Sequence, residues 1–325
     1  MKALPTGSLS LDLDNQWSYM KTHGDAGWEN FPSYLDTVVP RANDLLKTFG
    51  LKITYFIVGQ DAALEHNHEA LMQIPAGGHE VGNHSFHHEP WLHRYAEAKI
   101  ADEIARAEDA IFGATGARPD GWRGPGFSCS RTVLKVLASR GYIYDASTFP
   151  TYLGPLARAY YFMTSKGKFT PEERAERKQL FGTFSEGRRP LRPYRWGKDG
   201  EGLLEIPVTT MPILRVPFHV SYLLYLASFS MLAARVYFTN VLRLCRLTRT
   251  PVSLLLHPLD FMDGEDAPPL KFFPAMAMPA ERKLKLVSGF LREFKKRYDV
   301  VPMGEHARRL NAPETAPALR VAEAY

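Results

Sequence analysis

The chain has 325 residues, of which 45% are hydrophobic and 23% are charged. This length suits one large α/β barrel or two ordinary domains, and the composition excludes an intrinsically disordered chain. The 2 cysteines exclude a disulfide framework and a cysteine zinc site. The formal net charge is a modest +5. The first residues carry no apolar run of signal-peptide length, so we expect a cytoplasmic protein.

Strand and helix patterns alternate along most of the chain. Residues 15–32 form a predicted loop between the first strand and the first helix. The predicted strands are 8–14, 53–58, 80–83, 142–144, 205–209, 251–258 and 299–303. The predicted helices are 35–49, 61–74, 100–111, 131–140 and 280–297. Such alternation is typical of a parallel sheet, and the number of repeats favours a barrel whose chemistry lies at the C-terminal strand ends.

Three segments depart from this pattern. Residues 150–202 are rich in Arg, Lys, Pro and Gly and form a predicted basic insertion with a short helix over 171–181. Residues 213–247 are apolar, and we expect the Ala- and Pro-rich residues 311–325 to form a flexible tail. Residues 1–310 then form a single barrel that includes both the insertion and the apolar segment. Acids interrupt the insertion and no recognition motif occurs, which argues against a nucleic-acid partner.

A histidine cluster follows the third predicted strand. His84, His87 and His88 fall within five residues. Neutral imidazole is a common ligand for divalent metals, and two histidines four apart can point at one ion from the same side. At the end of the first strand, Asp12 and Asp14 face the same way, because strand residues i and i+2 share a face. The acids and the histidines both lie at strand ends and can therefore meet.

Five strand-end motifs stand in order along the chain. They are Asp12-Leu13-Asp14, His84 with His88, Trp122-Arg123-Gly124-Pro125-Gly126-Phe127, Tyr144-Asp145-Ala146-Ser147 and Leu255-Leu256-His257-Pro258. The set resembles the NodB-homology family of polysaccharide deacetylases (carbohydrate esterase family 4) over residues 8–150 and 203–302. The resemblance implies a distorted (β/α)7-8 barrel that holds one divalent metal, usually zinc, and removes N-acyl groups from amino sugars. The chain departs from the commonest family pattern, because Leu13 separates two acids that are usually adjacent.

The resemblance also implies a role for individual residues. Asp14, His84 and His88 are the implied metal ligands, with His87 as an alternative to His88, and three protein ligands leave an open position for water and substrate. The implied catalytic residues are Asp12 as the general base, Arg123 as its partner, His257 as the general acid, and Asp145 as the residue that orients His257.

The motif over residues 122–127 carries the implied substrate contacts. Trp122, Gly126 and Phe127 are the residues that we expect to bind substrate. A backbone N–H near Gly126 or Phe127 would help the metal to hold the oxyanion.

The apolar segment 213–247 suggests contact with a membrane surface. Its central part, 216–234, contains no Asp, Glu, Lys or Arg, and the longer stretch 206–250 contains arginines but no acid. We expect an interfacial helix with arginines at the headgroups and Leu, Tyr and Phe side chains in the acyl layer. The basic insertion would add attraction to anionic lipid. The alternatives are a helix buried against the insertion or a dimer partner, and a membrane span.

These features together predict a metal-dependent N-deacylase of a lipid-linked or cell-envelope amino sugar, peripheral at the inner face of the membrane. The chain also resembles the deformylase branch that acts on undecaprenyl-phosphate-linked aminoarabinose, through the Asp-x-Asp strand, Gly-Trp-Arg at 121–123 and Ile-Pro-Val-Thr at 206–209. After Gly-Trp-Arg the chain continues Gly-Pro-Gly-Phe, as in general deacetylases, so an acetyl and a formyl group both stay open. The alternatives are a deacetylase of a soluble or polymeric sugar that uses the apolar segment for oligomerisation, and a non-catalytic membrane-binding scaffold.

Overall fold

The computed structural model describes residues 3–156, 162, 168–171, 177, 184–197, 202–312 and 319–323. The strands are β1 (Thr6–Leu13), β2 (Thr54–Ile57), β3 (Glu80–Asn83), β4 (Gly121–Trp122), β5 (Tyr144–Asp145), β6 (Tyr194–Gly197), β7 (Leu204–Glu205), β8 (Val252–Leu256), β9 (Asp299–Val301) and β10 (Arg320–Glu323). The α-helices are α1 (Gln16–His23), α2 (Leu35–Thr48), α3 (Gly59–Ala62), α4 (His68–Ala76), α5 (Glu97–Thr115), α6 (Arg131–Ser139), α7 (Val220–Phe229), α8 (Met231–Leu247), α9 (Ala280–Lys295) and α10 (Met303–Asn311). Most of the predicted helix 171–181 lies outside the described residues.

The strands form one mostly parallel sheet, which confirms the predicted α/β fold class. Its order is β10-β6-β7-β5-β4-β3-β2-β1-β8, with β9 also paired to β1. From β1 to β5 each strand lies beside the next one in the chain, which is the order of a (β/α) barrel. The segment after β7 also contacts β8, which lies at one end of the strand order, where the Thr209 N–H donates to the Ser253 carbonyl at 3.0 Å. The Ser253 N–H in turn donates to Thr209 Oγ1 at 2.7 Å.

The strand register places the ends of β1 to β5 and β8 at one edge of the sheet. Paired positions are Leu11 with Leu256, Leu13 with Ile57, Ile57 with Asn83, Asn83 with Trp122, and Trp122 with Asp145. The residues that follow these positions are therefore neighbours along the C-terminal edge. Since the predicted catalytic motifs occupy those positions, the fold itself brings them together.

The two faces of β1 have different surroundings. Leu9, Leu11 and Leu13 are buried in the main hydrophobic core, which also contains the inner faces of α2 and α9. Ser8 and Ser10 alternate with these leucines and bind polar partners on the other side of the strand, where Ser10 Oγ accepts from Arg123. The alternation explains why Asp12 points to the polar side, since strand residues two apart share a face.

Two segments fold differently from the prediction. The predicted loop 15–32 contains α1, because Asn15 Oδ1 accepts from the Gln16 N–H at 2.8 Å and caps the helix, and Gly24 ends it at φ 80°. The predicted helix 61–74 is divided between α3 and α4.

Part of the predicted flexible tail is a strand. Residues Arg320–Glu323 form β10, which pairs in parallel with β6 from the predicted insertion. The Ala- and Pro-rich composition suggested no regular structure in this segment, but pairing with β6 makes residues Arg320–Glu323 a strand. The same pairing makes β6 and β10 an extension of the main sheet.

The apolar segment 213–247 folds as two helices, α7 and α8, which meet at Ser230. One face of each helix is buried, and Leu223, Leu224 and Phe238 belong to the main core. Leu223 and Leu224 are thus core residues, and the predicted acyl-layer contact does not apply to them. Every helix in the described part of the chain is too short or too polar to cross a membrane.

The Thr209–Ser253 contact gives the first prediction. Thr209→Val keeps the side-chain shape but leaves the buried Ser253 N–H without its acceptor, so we expect the free energy of unfolding to fall by about 1–3 kcal/mol. Urea denaturation measures this change. The matched control is Thr37→Val, whose hydroxyl makes only an exposed contact with Asp36; its effect should stay within about 0.5 kcal/mol. Equal stability of the two variants would contradict a role of Thr209 in holding the segment after β7 against β8.

Candidate metal and catalytic site

Asp14, His84 and His88 meet at the C-terminal edge of the sheet. Asp14 follows β1, and the histidines follow β3. Asp14 Oδ1 lies 3.2 Å from His84 Nε2 and 2.9 Å from His88 Nε2. All three residues are buried, and one ligand atom from each lies within 4.8 Å of the others. The predicted ligand set is therefore brought together.

The donor set fits a divalent cation. His84 Nδ1 lies 2.6 Å from the Arg123 carbonyl oxygen and donates to it, which leaves Nε2 as the ligand atom. Asp14 Oδ1 and His88 Nε2 are buried and, within the described residues, lack a hydrogen bond of acceptable geometry. Buried polar atoms normally have partners. Two imidazole nitrogens and one carboxylate oxygen are the ligand types that zinc prefers, and a fourth position stays open.

Electrostatics keep this carboxylate ionised. Burial raises the pKa of Asp14, but the adjacent His88 and His84 outweigh burial and hold that pKa well below its usual value. Burial lowers the pKa of His84, but Asp14 and Asp12 outweigh it and raise that pKa above its usual value. The two histidines therefore stabilise the negative charge of the Asp14 carboxylate.

The loop that carries the histidines has an unusual backbone. Ser85 and His88 adopt positive φ angles of 62° and 50°. Such conformations cost on the order of 1–3 kcal/mol each and persist only when the surroundings enforce them. Here the Ser85 N–H donates to Asn83 Oδ1 at 2.9 Å, and the His88 N–H donates to Ser85 Oγ at 3.1 Å. These bonds hold His88 beside Asp14.

His87 points away from the metal ligands. Its Nδ1 binds Glu103 Oε1, and its backbone N–H donates to Glu103 Oε2 at 3.0 Å. The structure therefore does not support His87 as the alternative ligand. Glu103 was missed in the sequence, although it interrupts the apolar stripe of α5 between Ile100 and Ile104. A buried acid in such a stripe indicates a specific polar partner.

The predicted pair of Asp12 and Arg123 is present. Arg123 Nη1 lies 2.5 Å from Asp12 Oδ1, and both side chains are buried. Arg123 also donates to Ser10 Oγ at 2.9 Å and to the Ala146 carbonyl at 3.0 Å, and its guanidinium lies over the Phe56 ring. Asp12 is thereby held in one position beside the metal ligands.

His257 follows β8, beside the end of β1, but its hydrogen-bond partner differs from the prediction. His257 Nδ1 lies 2.9 Å from Ser221 Oγ, a residue of α7. Asp145 instead accepts from the Ser147 hydroxyl at 2.5 Å and from the Ser147 N–H at 3.1 Å. Within the described residues no hydrogen bond joins Asp145 to His257, so the role of Asp145 in orienting His257 stays a prediction.

Asp145 belongs to a buried pair of acids. Its neighbour in the strand register is Glu205 on β7, and the two carboxyl groups interact. Burial raises the pKa of Asp145, and burial together with Asp145 raises the pKa of Glu205 well above its usual value. Glu205 also accepts from the Trp196 indole at 3.1 Å. These acids link β5, β6 and β7 through side-chain contacts.

The three predicted substrate-binding residues occupy different environments. Trp122 is fully buried against Tyr142 in a core cluster, so its side chain cannot contact substrate. Gly126 is exposed and Phe127 is half-buried near the strand edge. The Phe127 N–H donates to the Gly124 carbonyl at 2.9 Å, which leaves Gly126 as the candidate oxyanion donor.

An aromatic row that the sequence did not reveal links Phe127 to His257. Phe127 stacks on Phe149 with ring centroids 4.9 Å apart. His219 lies 5.7 Å from Phe149 and 5.7 Å from His257. Burial lowers the pKa of His219 to about 3, so this imidazole is neutral. Ring contacts thus connect the loop that carries Phe127 with His257.

A second group that sequence reasoning missed braces the Asp14 loop. Asp61 accepts from Asn15 Nδ2 at 2.7 Å and from Trp17 Nε1 at 2.8 Å. The Tyr34 hydroxyl donates to the Asp14 carbonyl at 2.6 Å. Burial raises the pKa of Asp61 to about 7. The partners of Asp61 lie more than 40 residues away in the chain, so no local sequence pattern reveals this group.

Comparison with known proteins bears on the same region. The sequence model of the polysaccharide deacetylase family matches residues 24–144. The predicted family resemblance is confirmed. A peptidoglycan deacetylase from Helicobacter pylori is 30% identical over 109 residues, which are 34% of this chain and 36% of that protein. Peptidoglycan-N-acetylmuramic acid deacetylase PdaA from Bacillus subtilis is 29% identical over 119 residues, 36% of this chain and 42% of that protein.

These matches cover only part of each protein. The chain spans about a third of the length of the first curated relatives it matches. The family match includes His84, His88 and Arg123 but begins after Asp14.

Solved structures extend the likeness to the whole fold. A Mycobacterium smegmatis protein assigned as a polysaccharide deacetylase has a TM-score of 0.58 at 17% identity, covering 100% of this chain and 95% of that one. The Puue allantoinase has a TM-score of 0.54 at 17% identity, covering 97% and 92%. At this identity the likeness shows the fold alone.

The ligand geometry yields a direct prediction on metal retention. Purified wild type should hold about one zinc ion per chain, and His84→Ala or His88→Ala should lose it, because each removes one of three protein ligands. Elemental analysis after dialysis measures the content. His87→Ala is the matched control and should keep the ion, since its imidazole binds Glu103. Retention of stoichiometric zinc in His88→Ala would remove His88 from the ligand set.

Proposed function

We propose that the protein is a metal-dependent hydrolase that removes an N-acyl group from an amino sugar. The observation that carries this proposal is the buried triad Asp14, His84 and His88 beside an Asp12 that Arg123 holds. Of the divalent metals, zinc matches the nitrogen-rich donor set best. The family match adds the reaction class, since both relatives described above are peptidoglycan deacetylases.

Each residue has a chemical task in this reaction. A divalent metal would polarise the amide carbonyl and make a water nucleophilic. Asp12 would take the proton from that water as the general base. Arg123 keeps the Asp12 carboxylate oriented through its short hydrogen bond. His257 would deliver a proton to the leaving nitrogen, and the N–H of Gly126 would bind the oxygen that becomes negatively charged.

An exposed apolar surface supports a lipid-linked substrate. Tyr225, Phe229, Met231, Leu232 and Val236 form this surface, called here the apolar corner, where α7 meets α8. Phe229 and Leu232 are 75% and 72% exposed. A group of exposed apolar side chains close together on a surface indicates an interaction site.

The charges around the apolar corner favour anionic lipid as its partner. The exposed arginines of this segment are Arg235, Arg243, Arg246 and Arg249. No acid occurs between residues 206 and 250. Apolar side chains flanked by arginines are typical of an interfacial surface, and the cytoplasmic leaflet carries the anionic lipids that attract such arginines.

The apolar corner lies near the candidate site. The first turn of α7 carries Ser221, which contacts His257, and Phe229 ends the same helix. Eight residues of α-helix span about 12 Å. A membrane at the corner would thus bring a lipid-linked sugar within reach of the strand edge. We therefore favour a lipid-linked amino sugar over the soluble or polymeric sugar of the alternative, in which the corner would bind a second copy of the chain.

The reaction is tested with paired substrates. We expect zinc-loaded wild type to release acetate or formate from polyprenyl-phosphate-linked N-acyl amino sugars in micelles faster than acetate from N,N′,N″-triacetylchitotriose, measured by proton NMR. Asp12→Asn should keep the metal yet lose roughly 10²–10⁴-fold in turnover, because it cannot accept the proton. Chelation should abolish release and added zinc should restore it. Preference for the soluble sugar would favour the alternative, and normal turnover in Asp12→Asn would refute the base.

The apolar corner is tested separately. Phe229→Ser with Leu232→Ser should reduce cosedimentation with phosphatidylglycerol-containing vesicles by roughly tenfold or more, since each buried side chain contributes about 1.5–3 kcal/mol. The control is Met72→Ser with Phe112→Ser, which removes two apolar side chains that are 52% and 41% exposed elsewhere. Vesicle binding of the corner variant at the wild-type level would contradict membrane docking through this surface.

A further inference from the structure

The hydrogen bonds around His257 form a chain that ends in a buried acid. His257 Nδ1 lies 2.9 Å from Ser221 Oγ. Ser221 also lies close enough to the Asp260 carboxylate to lower its pKa, against the burial that raises it. Asp260 is buried, at 1% exposure, and its Oδ2 accepts from the His257 backbone N–H at 2.8 Å. Asp260 thus contacts His257 directly through the backbone and indirectly through Ser221.

We propose that Ser221 and Asp260 position His257 in place of the acid expected at residue 145. The inference rests on the proposed role of His257 as the general acid. In this arrangement Nδ1–H donates to Ser221 Oγ, and the Ser221 O–H donates to the Asp260 carboxylate. The imidazole tautomer is then fixed, and Nε2 is the atom that accepts and releases the catalytic proton.

The surroundings of Asp260 make it a firm anchor. Asp260 ends a single turn of 3-10 helix over Pro258–Asp260, which the His257 backbone caps. Buried Lys283 of α9 donates to the carbonyls of Leu259 and Met262 on either side, at 2.8 and 2.6 Å. Burial lowers the pKa of Lys283 to about 8, against the opposing charge of Asp260. The acid is therefore held by the His257 backbone N–H, with the Ser221 hydroxyl and the Lys283 ammonium group near it.

The positions of the two partners explain why this chain departs from the expected pair. Glu205 interacts with Asp145 from the adjacent strand, so that Asp145 is not available to His257. Ser221 reaches His257 because α7 begins at the strand edge, directly after His219. Ser221 is a positioning residue, since it acts through His257 and not on the substrate.

The test measures the imidazole directly. With ¹⁵N-histidine in the zinc-loaded full chain, long-range proton–nitrogen NMR distinguishes Nδ1–H from Nε2–H, and the His257 signals are assigned by their loss in His257→Gln. We expect the Nδ1–H tautomer in wild type. Ser221→Ala should shift His257 towards the Nε2–H tautomer, and Ser221→Thr should restore it because the hydroxyl remains. Asp260→Asn is the second variant and should give an intermediate shift, since it keeps the shape but removes the charge.

Kinetics on the lipid-linked N-acetyl amino sugar provide the second readout. Ser221→Ala should lower kcat roughly tenfold, a part of the ~10²–10⁴-fold that general acid–base catalysis supplies, and leave KM within about twofold. Ser228→Ala is the matched control on the same helix, since its hydroxyl binds only the Tyr225 carbonyl at an exposed position. It should change neither kcat nor the His257 signals.

The outcomes separate this inference from the proposed function. If His257→Gln leaves kcat unchanged, the general acid of the proposed function is wrong and the positioning role fails with it. If His257→Gln abolishes turnover while Ser221→Ala keeps both kcat and the Nδ1–H signal, only the positioning role is overturned. Loss of the Nδ1–H signal in Ser221→Ala with rescue by Ser221→Thr supports the inference on any substrate.

Discussion

The buried ion pair of Arg123 and Asp12 is the interaction on which the candidate site depends. A charge at 0% exposure must be compensated, and removing one partner of such a pair typically costs about 3–5 kcal/mol. The guanidinium satisfies that need through Asp12, Ser10 and the Ala146 carbonyl. The Arg123 carbonyl meanwhile accepts from His84 Nδ1. One residue thus fixes both the proposed base and the ligand atom of a histidine, so the base and the metal position cannot shift independently.

The central part of the site was predictable because parallel strands share one edge. Asp12, Asp14, His84 and His88 each follow or end a strand that the hydrophobic pattern identifies. The pattern did not identify β4, the two-residue strand before Arg123. Once the strands are known, the barrel rule brings their C-terminal ends together without knowledge of any side-chain contact. The same logic gave the α/β fold class and most strands. It did not give β6 and β10, whose pairing joins the predicted insertion to residues near the end of the chain.

The other features of the site depend on contacts between residues that are not neighbours in the sequence, and a local sequence pattern does not encode such contacts. Trp122 and Arg123 are adjacent in the sequence, but successive residues of a strand face opposite sides of the sheet. Trp122 therefore lies in a hydrophobic cluster, whereas Arg123 binds Asp12 on the other side. Asp145 and Glu205 become partners only through the register of β5 and β7. Glu103 was visible in principle, because a charge within the buried stripe of a helix requires a partner, yet nothing local identifies that partner as His87.

The apolar segment has a buried face and an exposed face, which its composition alone does not distinguish. Its run of uncharged residues suggested one interfacial helix, but the packing divides the run at Ser230 and buries one face of each half in the barrel core. The buried face of α7 fixes the direction of the helix relative to β8. Ser221 at its start and Phe229 at its end are therefore held about 12 Å apart by a rigid element. If the proposal is correct, the helix that orients the catalytic imidazole also sets the distance between that imidazole and the lipid surface, so that substrate reach is determined by helix length rather than by a flexible loop.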